Sequence, residues 1–228
     1  MLDSGNHGSE RFEMTHSLHR RGSVADLHED YVLIFYTSKG INREGSDQKM
    51  KQFWHVLSHY EQDLVNFGNH HPNRSGGEPY NMEDLKKSKS QMNMAVFKDI
   101  EKLKACLQEI KERDFGISVV VSGLYGETKR ICSEIGLSPH TVNLSLGIHG
   151  KKEKLPEESV LEIHTMCGHG VVPFNLILHM VKEIKTGKVT CKEAAKRLSR
   201  LCDCGLFNPY RAEKILRKMT ANQLTDIH

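Results

Sequence analysis

The chain has 228 residues, of which 38% are hydrophobic and 27% charged, so it holds enough apolar side chains to bury a core. Its 32 basic and 29 acidic residues leave a formal net charge of +3, which gives no reason to expect nucleic acid as a partner. No apolar run reaches the roughly 18 residues of a membrane span, and the N-terminus does not resemble a signal peptide. We therefore expect a cytoplasmic protein without membrane association.

Composition divides the chain into three parts. Residues 1–28 are rich in Gly, Ser, His, Arg and Glu and show no apolar periodicity, which predicts a disordered tail. Residues 29–150 predict an α/β domain. Residues 151–228 predict a helical region that contains cysteines, either separate from the α/β part or packed with it as one unit.

Within the α/β part, the continuous apolar run over residues 31–37 predicts a central strand that is covered on both faces. A helix, a second strand, a loop and a longer helix are predicted over residues 46–60, 64–67, 69–80 and 92–112. The clearest signal is a strand-helix-strand unit over residues 117–123, 127–135 and 141–146. Because such a crossover makes its two strands parallel, we predict a mostly parallel layered sheet followed by a helical C-terminal region.

Helix-start signals dominate the sequence after Gly150. Pro156, Pro173 and Pro209 each suit the first turn of a helix, where a missing N–H does no harm. Thr190 and Glu193 predict a capping box for a further helix. Three cysteines lie in the loops between these predicted helices.

Three of the six cysteines lie in predicted loops that contain glycine. Cys167 is followed by Gly168, His169 and Gly170, and Cys202 and Cys204 are followed by Gly205. In a reducing compartment such cysteines are more often thiols or metal ligands than disulfides. Redox or nucleophilic thiol chemistry and simple burial as small hydrophobic side chains are the alternatives.

Two metal sites fit this set of residues. Zinc would take Cys167, Cys202 and Cys204 with His169 as the fourth ligand of a closed tetrahedron. An iron–sulfur cluster would use the same three cysteines and leave one iron to His169, His164, water or substrate, with Cys191 as a spare fourth cysteine. The open coordination position favours the iron–sulfur cluster by a small margin.

The ends of the predicted parallel strands offer a place for a small-molecule ligand, since ligands of open parallel sheets bind there. Ser122 and Gly123 follow one strand, and Asn143 and Ser145 share one face of the next. His149, at the end of that strand, is a candidate acid or base, as is His169.

The leading hypothesis is thus a metal-binding enzyme or redox protein, with an iron–sulfur site of three cysteines and a small-molecule ligand or redox partner at the strand ends. The alternative is a non-catalytic interaction module that is stabilised by zinc. An open coordination position beside a pocket would favour the first hypothesis, and a filled tetrahedron the second. The sequence identifies neither a substrate nor an oligomeric state.

Overall fold

The computed structural model describes residues 20–69, 79–144 and 147–221. Over these ranges the chain forms four strands and nine α-helices. In chain order they are α1 (Val24–Leu27), β1 (Tyr31–Tyr36), α2 (Asp47–Ser58), β2 (Leu64–Asn69), α3 (Met82–Lys87), β3 (Met92–Phe97), α4 (Ile100–Arg113), β4 (Ser118–Ser122), α5 (Tyr125–Glu134), α6 (Glu158–His164), α7 (Phe174–Lys185), α8 (Cys191–Ser199) and α9 (Pro209–Ala221).

The four strands form one antiparallel sheet in the order β2-β3-β1-β4. Leu33 of β1, for example, pairs with Ala95 of β3 on one side and with Val121 of β4 on the other. The predicted mostly parallel sheet is therefore wrong. The helical connections do make β1 and β2 run in the same direction, and β3 and β4 likewise, but a strand lies between the members of each pair. This topology is the split βαβ arrangement of ferredoxin-like sheets.

Two further predictions fail locally. Met92–Phe97, predicted as the start of a long helix, is strand β3, in which apolar side chains point to both buried faces. Helix α4 begins only after Asp99, whose side chain accepts hydrogen bonds from the backbone N–H groups of Glu101 and Lys102. The strand predicted over residues 141–146 is not formed by its described part: Val142 and Leu144 are 39% and 55% exposed.

Other predicted elements are confirmed. β1 is an inner strand of the sheet, and five of its six residues are buried. The helices predicted after Pro173 and Pro209 begin at Phe174 and at Pro209 itself. The Thr190 side chain accepts a hydrogen bond from the Glu193 backbone N–H, which is one half of the predicted capping box, while the Glu193 carboxylate accepts from Arg197 at 3.4 Å.

The sheet lies between two layers of helices. One face of β1, formed by Tyr31, Leu33 and Phe35, packs in a core with residues of α2, α3, α4 and α5. The other face, formed by Val32 and Ile34, packs with residues of α6, α7, α8 and α9. Since alternate residues of a strand point to opposite faces, the continuous apolar run in β1 follows from burial on both sides.

A buried charge cluster fixes the segment before β1 to helix α9. Asp30 is fully buried and accepts hydrogen bonds from the guanidinium groups of Arg20 and Arg211 and from Nδ2 of Asn208. Arg211 also contacts Glu162 of α6, with 2.8 Å between Nη2 and Oε2. Of the tail predicted over residues 1–28, residues 1–19 lie outside the described ranges, whereas the rest forms α1 and this cluster.

None of the helices in the described ranges is both long enough and apolar enough to span a bilayer.

Candidate metal centre

Two loops of the C-terminal helical layer carry the candidate ligands. Cys167 lies three residues after the end of α6, and Gly168 and Gly170 on either side of His169 both have positive φ, at 78° and 64°. Cys202 and Cys204 lie between α8 and α9, before Gly205 with φ of 74°. These left-handed residues let each loop turn so that its Cys and His side chains approach those of the other loop.

The four side chains converge although the two loops are distant in sequence. Sγ of Cys202 lies 3.5 Å from Sγ of Cys204, and Sγ of Cys204 lies 3.6 Å from Nδ1 of His169. Cys167 completes the group, since the pKa of its thiol is influenced by both Cys202 and His169. The three thiols are buried, and His169 is the exposed member of the group.

As they stand, these side chains form a hydrogen-bonded cluster rather than a coordination sphere. No group of three or more His, Cys, Asp or Glu side chains in the described part of the chain is arranged so that it could hold a metal ion. The distances are nevertheless close to those between ligands of one zinc ion. With Zn–S of about 2.3 Å and Zn–N of about 2.0–2.1 Å, a tetrahedron places two sulfurs about 3.8 Å apart and a sulfur and a nitrogen about 3.6 Å apart.

Backbone N–H groups point at two of the sulfurs. The N–H of Phe207 donates to Sγ of Cys202 at 3.3 Å, and the backbone of Leu206 hydrogen-bonds to the Cys204 side chain. Hydrogen bonds of this kind stabilise the thiolate relative to the thiol. For Cys202 the bond with Cys167 and the Phe207 N–H lower the pKa, but the bond with Cys204 and burial outweigh them and raise it to about 11. The backbone contact therefore favours negative charge chiefly on Cys204.

The thiols differ in acidity. The hydrogen bond to Cys202, together with burial, raises the pKa of Cys167 to about 12. The bond from Cys202 holds the pKa of Cys204 below its usual value despite burial, and the bond to Cys167 raises the pKa of His169. Of the three thiols, Cys204 is thus the one whose surroundings lower the pKa.

The loop that carries Cys202 and Cys204 packs closely on strand β2. A Cβ atom at Gly205 would collide with the carbonyl of Phe67, and one at Gly68 would lie 2.8 Å from the carbonyl oxygen of Cys204. Nδ2 of Asn66 donates to the carbonyl oxygen of Phe207 at 2.7 Å. Only glycine fits at these two positions, so the candidate ligands are held against the sheet.

The other proposed fourth ligands have different partners. Sγ of Cys191 lies 3.9 Å from Oγ1 of Thr220, and at 1.5 Å per residue α8 places Ser199, three residues before Cys202, about 12 Å from Cys191. Nδ1 of His164 is 2.8 Å from the carbonyl oxygen of Val172, to which it donates, and its ring packs on Phe174. His169 is the histidine that the structure brings to the three cysteines.

The residues expected at strand ends are not gathered into one site by a parallel sheet. Ser122 is buried at the end of β4, and Gly123 packs against the ring of Tyr31. Asn143 and His149 are exposed, and Ser145 lies outside the described residues. In an antiparallel sheet neighbouring strands have their carboxyl ends at opposite ends of the sheet. The carboxyl ends of β4 and its neighbour therefore do not meet, and the reason for placing a ligand at them no longer holds.

Sequence reasoning missed the residues that support the site. Tyr80 places its hydroxyl 2.7 Å from the carbonyl oxygen of Asn69 and 2.6 Å from that of Asp203. Gly205, directly after the paired cysteines, and Gly68 are the sequence signals of this close backbone approach.

Comparisons of this chain with protein-family models, with curated proteins and with solved structures find no match.

Proposed function

We propose that the chain binds one zinc ion through Cys167, Cys202, Cys204 and His169, and that this ion is structural. The observation that supports the proposal is the convergence of these four side chains from two loops, with Cys204 and His169 35 positions apart in sequence. Three cysteines and one histidine are a common ligand set of closed structural zinc sites. Zinc binding would require these side chains to rearrange from the hydrogen-bonded cluster into a tetrahedron.

The spacing of the sulfurs favours a single ion over a four-iron cluster. In such a cluster each cysteine binds a different iron, so the sulfurs lie farther apart than two ligands of one ion. The 3.5 Å between the sulfurs of Cys202 and Cys204 suits one shared ion. The hypothesis of an iron–sulfur enzyme also relied on parallel strand ends for its small-molecule site, and the sheet is antiparallel.

The ion would act by tying together three parts of the fold. It would join the loop between α6 and α7 to the loop between α8 and α9, and the second loop is in turn packed on β2. The proposed protein is therefore a non-catalytic interaction module that is stabilised by zinc. In it the metal would set the position of the C-terminal helices on the sheet.

Metal analysis of the full chain, purified under reducing conditions, tests the proposal. We expect one zinc per chain in the native protein, loss of zinc in Cys204→Ser, and retention in the matched control Cys191→Ser, whose thiol contacts Thr220. Cobalt substituted for zinc should show the intense d–d absorption of a tetrahedral thiolate site. If the analysis finds iron and acid-labile sulfide, the site holds an iron–sulfur cluster and not zinc. Native protein without any bound metal would overturn the proposal.

A further inference from the structure

Positive charge is concentrated in one pair of helices in the C-terminal layer. Residues 182–200 run from the last turn of α7 to the end of α8 and contain seven Lys or Arg and two Glu, a net charge of +5. Since the whole chain carries +3, all other residues together carry −2. The net charge of the chain therefore conceals this segment, which we call the basic hairpin.

Helix α8 presents its cations on one side. Its other side packs in the core of the C-terminal layer and consists of Cys191, Ala194, Ala195 and Leu198. Lys192, Lys196 and Arg200 follow one another in steps of four residues, and all three are exposed. Each step advances by about 6 Å along the helix axis. α8 thus forms a row of cations on a helix that is fixed to the core from behind.

The connection to α7 extends this row at the start of α8. It spans residues 186–190, so the two lysines in the last turn of α7 lie near the first turn of α8. Two ion pairs reduce the charge: Lys188 with Glu183 at 3.0 Å, and Arg197 with Glu193 at 3.4 Å. The hairpin therefore keeps an excess of five positive charges over its two anions.

The exposed residues of the hairpin are of the types that contact phosphate. They are Lys182, Lys185, Thr186, Gly187, Lys188, Thr190, Lys192, Lys196, Arg197 and Arg200. Lys, Arg and hydroxyl side chains supply many of the protein's hydrogen bonds to phosphate and sugar oxygens of nucleic acids. Proteins that bind single strands also stack bases on aromatic rings, and residues 182–200 contain no Phe, Tyr or Trp. The composition thus favours a double helix, whose bases are already stacked.

Two other anionic partners suit this surface less well. An amphipathic helix binds a membrane by inserting its apolar side, but the apolar side of α8 is buried in the protein. A protein partner is usually held by aromatic or Arg side chains in desolvated pockets surrounded by apolar contacts, and the exposed side chains of residues 182–200 include no apolar one.

We propose that the basic hairpin binds the phosphate backbone of double-helical nucleic acid without reading its base sequence. The fixed row of cations on α8 faces regularly spaced phosphates, and release of the counterions that surround them drives binding. This inference goes beyond the proposed zinc site and does not depend on it, because none of the seven cations is a candidate metal ligand.

The test measures binding of the full chain to a short, fluorescently labelled DNA duplex by anisotropy at several salt concentrations. If about five phosphates are contacted, the logarithm of the binding constant should fall with the logarithm of the salt concentration with a slope of about −4.5. A duplex of unrelated sequence should bind with the same affinity, because contacts to phosphate carry no sequence information.

Two triple variants locate the contact. The hairpin variant combines Lys182→Gln, Lys192→Gln and Lys196→Gln. The control combines Lys49→Gln, Lys102→Gln and Lys129→Gln, which are exposed lysines of α2, α4 and α5 on the opposite face of the sheet. The hairpin variant should reduce the magnitude of the salt slope by about 3 and weaken binding at least about tenfold at 50 mM salt. The control should retain the slope of the wild type, and urea unfolding checks that both variants fold.

Several outcomes would overturn the inference. They are failure to bind the duplex at about 50 mM salt, equal weakening in both variants, and a strong dependence on base sequence. Equal or tighter binding to poly-glutamate, or to vesicles of phosphatidylcholine and phosphatidylserine in equal amounts, would identify another class of partner and also overturn it.

Zinc analysis of the same samples separates this inference from the proposed function. Protein that contains zinc but does not bind the duplex refutes the inference and leaves the zinc site standing. Protein without zinc that binds the duplex through the hairpin refutes the proposed function and supports the inference.

Discussion

Substitution of Asp30 by asparagine tests the charge cluster that joins the segment before β1 to helix α9. The side chains of Asp30 and Arg20 are fully buried, and that of Arg211 is 1% exposed. Asparagine keeps the shape of the side chain but removes the negative charge between the two guanidinium groups. Asparagine keeps one acceptor oxygen where aspartate has two, so one of the two guanidinium groups loses its hydrogen bond and both lose the negative charge. Arg211 keeps its ion pair with Glu162, whereas the other contact described for Arg20 is with the neutral Leu206 carbonyl.

Breaking a buried ion pair from one side costs about 3–5 kcal/mol, because the remaining charge stays buried without its partner. Against a total stability of about 5–15 kcal/mol, Asp30→Asn should remove a large part of the free energy of unfolding. Urea unfolding followed by the fluorescence of Trp54, the single tryptophan and 1% exposed, measures this loss directly.

Two further variants make the result specific. Glu29→Gln removes a neighbouring carboxylate that is one-third exposed and paired with Lys214, and we expect it to cost about 0–1 kcal/mol. Adding Arg20→Met to Asp30→Asn removes the uncompensated charge and should recover more than about 1 kcal/mol. A loss below about 1 kcal/mol in Asp30→Asn, or strict additivity in the double variant, would refute this reasoning.

Two predictions concern acid stability and helix capping. Burial acts to raise the pKa of Asp30, but the guanidinium groups of Arg20 and Arg211 outweigh it and hold the pKa below the ordinary value of 3.8. The stabilisation from Asp30 is therefore complete above that value and is lost as the pH falls through the lower folded-state pKa. In urea titrations from pH 5 downward, the free energy of unfolding should fall more steeply for the wild type than for Asp30→Asn. Thr190→Ala removes the side-chain acceptor for the Glu193 N–H and should cost about 0.5–2 kcal/mol in the same assay, and a cost no larger than that of Thr186→Ala would contradict the capping role.

The elements of the sheet were easier to predict than its topology. A run such as Tyr31–Tyr36 indicates burial on both faces, and the structure confirms an inner strand. Which strands become neighbours is set by packing between distant segments, and here each helical crossover passes over one intervening strand. β3 was hidden because Val96 continues, at helical spacing, the apolar positions of α4. Asp99, a helix-capping residue, marked the boundary that the periodicity obscured.

The candidate site was also predictable only in part from the sequence. Glycine-flanked cysteines in two helix-connecting loops were visible in the sequence, and the structure brings Cys167, Cys202, Cys204 and His169 together. Their attachment to β2 depends on Tyr80 and Asn66, ordinary polar residues whose partners lie far away in sequence. The Asp30 cluster gave no local signal either, since Asp30 and Arg211 are 181 positions apart.

That separation has a consequence for how the chain folds. Asp30 can contact Arg211 only after almost the whole chain has been synthesised and the long loop between them has closed. Closing this loop costs conformational entropy late in folding. The bond between Arg20 and Asp30 spans only 10 positions and can form earlier, but the second guanidinium partner of Asp30 arrives only with α9. A chain truncated before α9 lacks Arg211, so its segment before β1 would have one ion-pair partner instead of two.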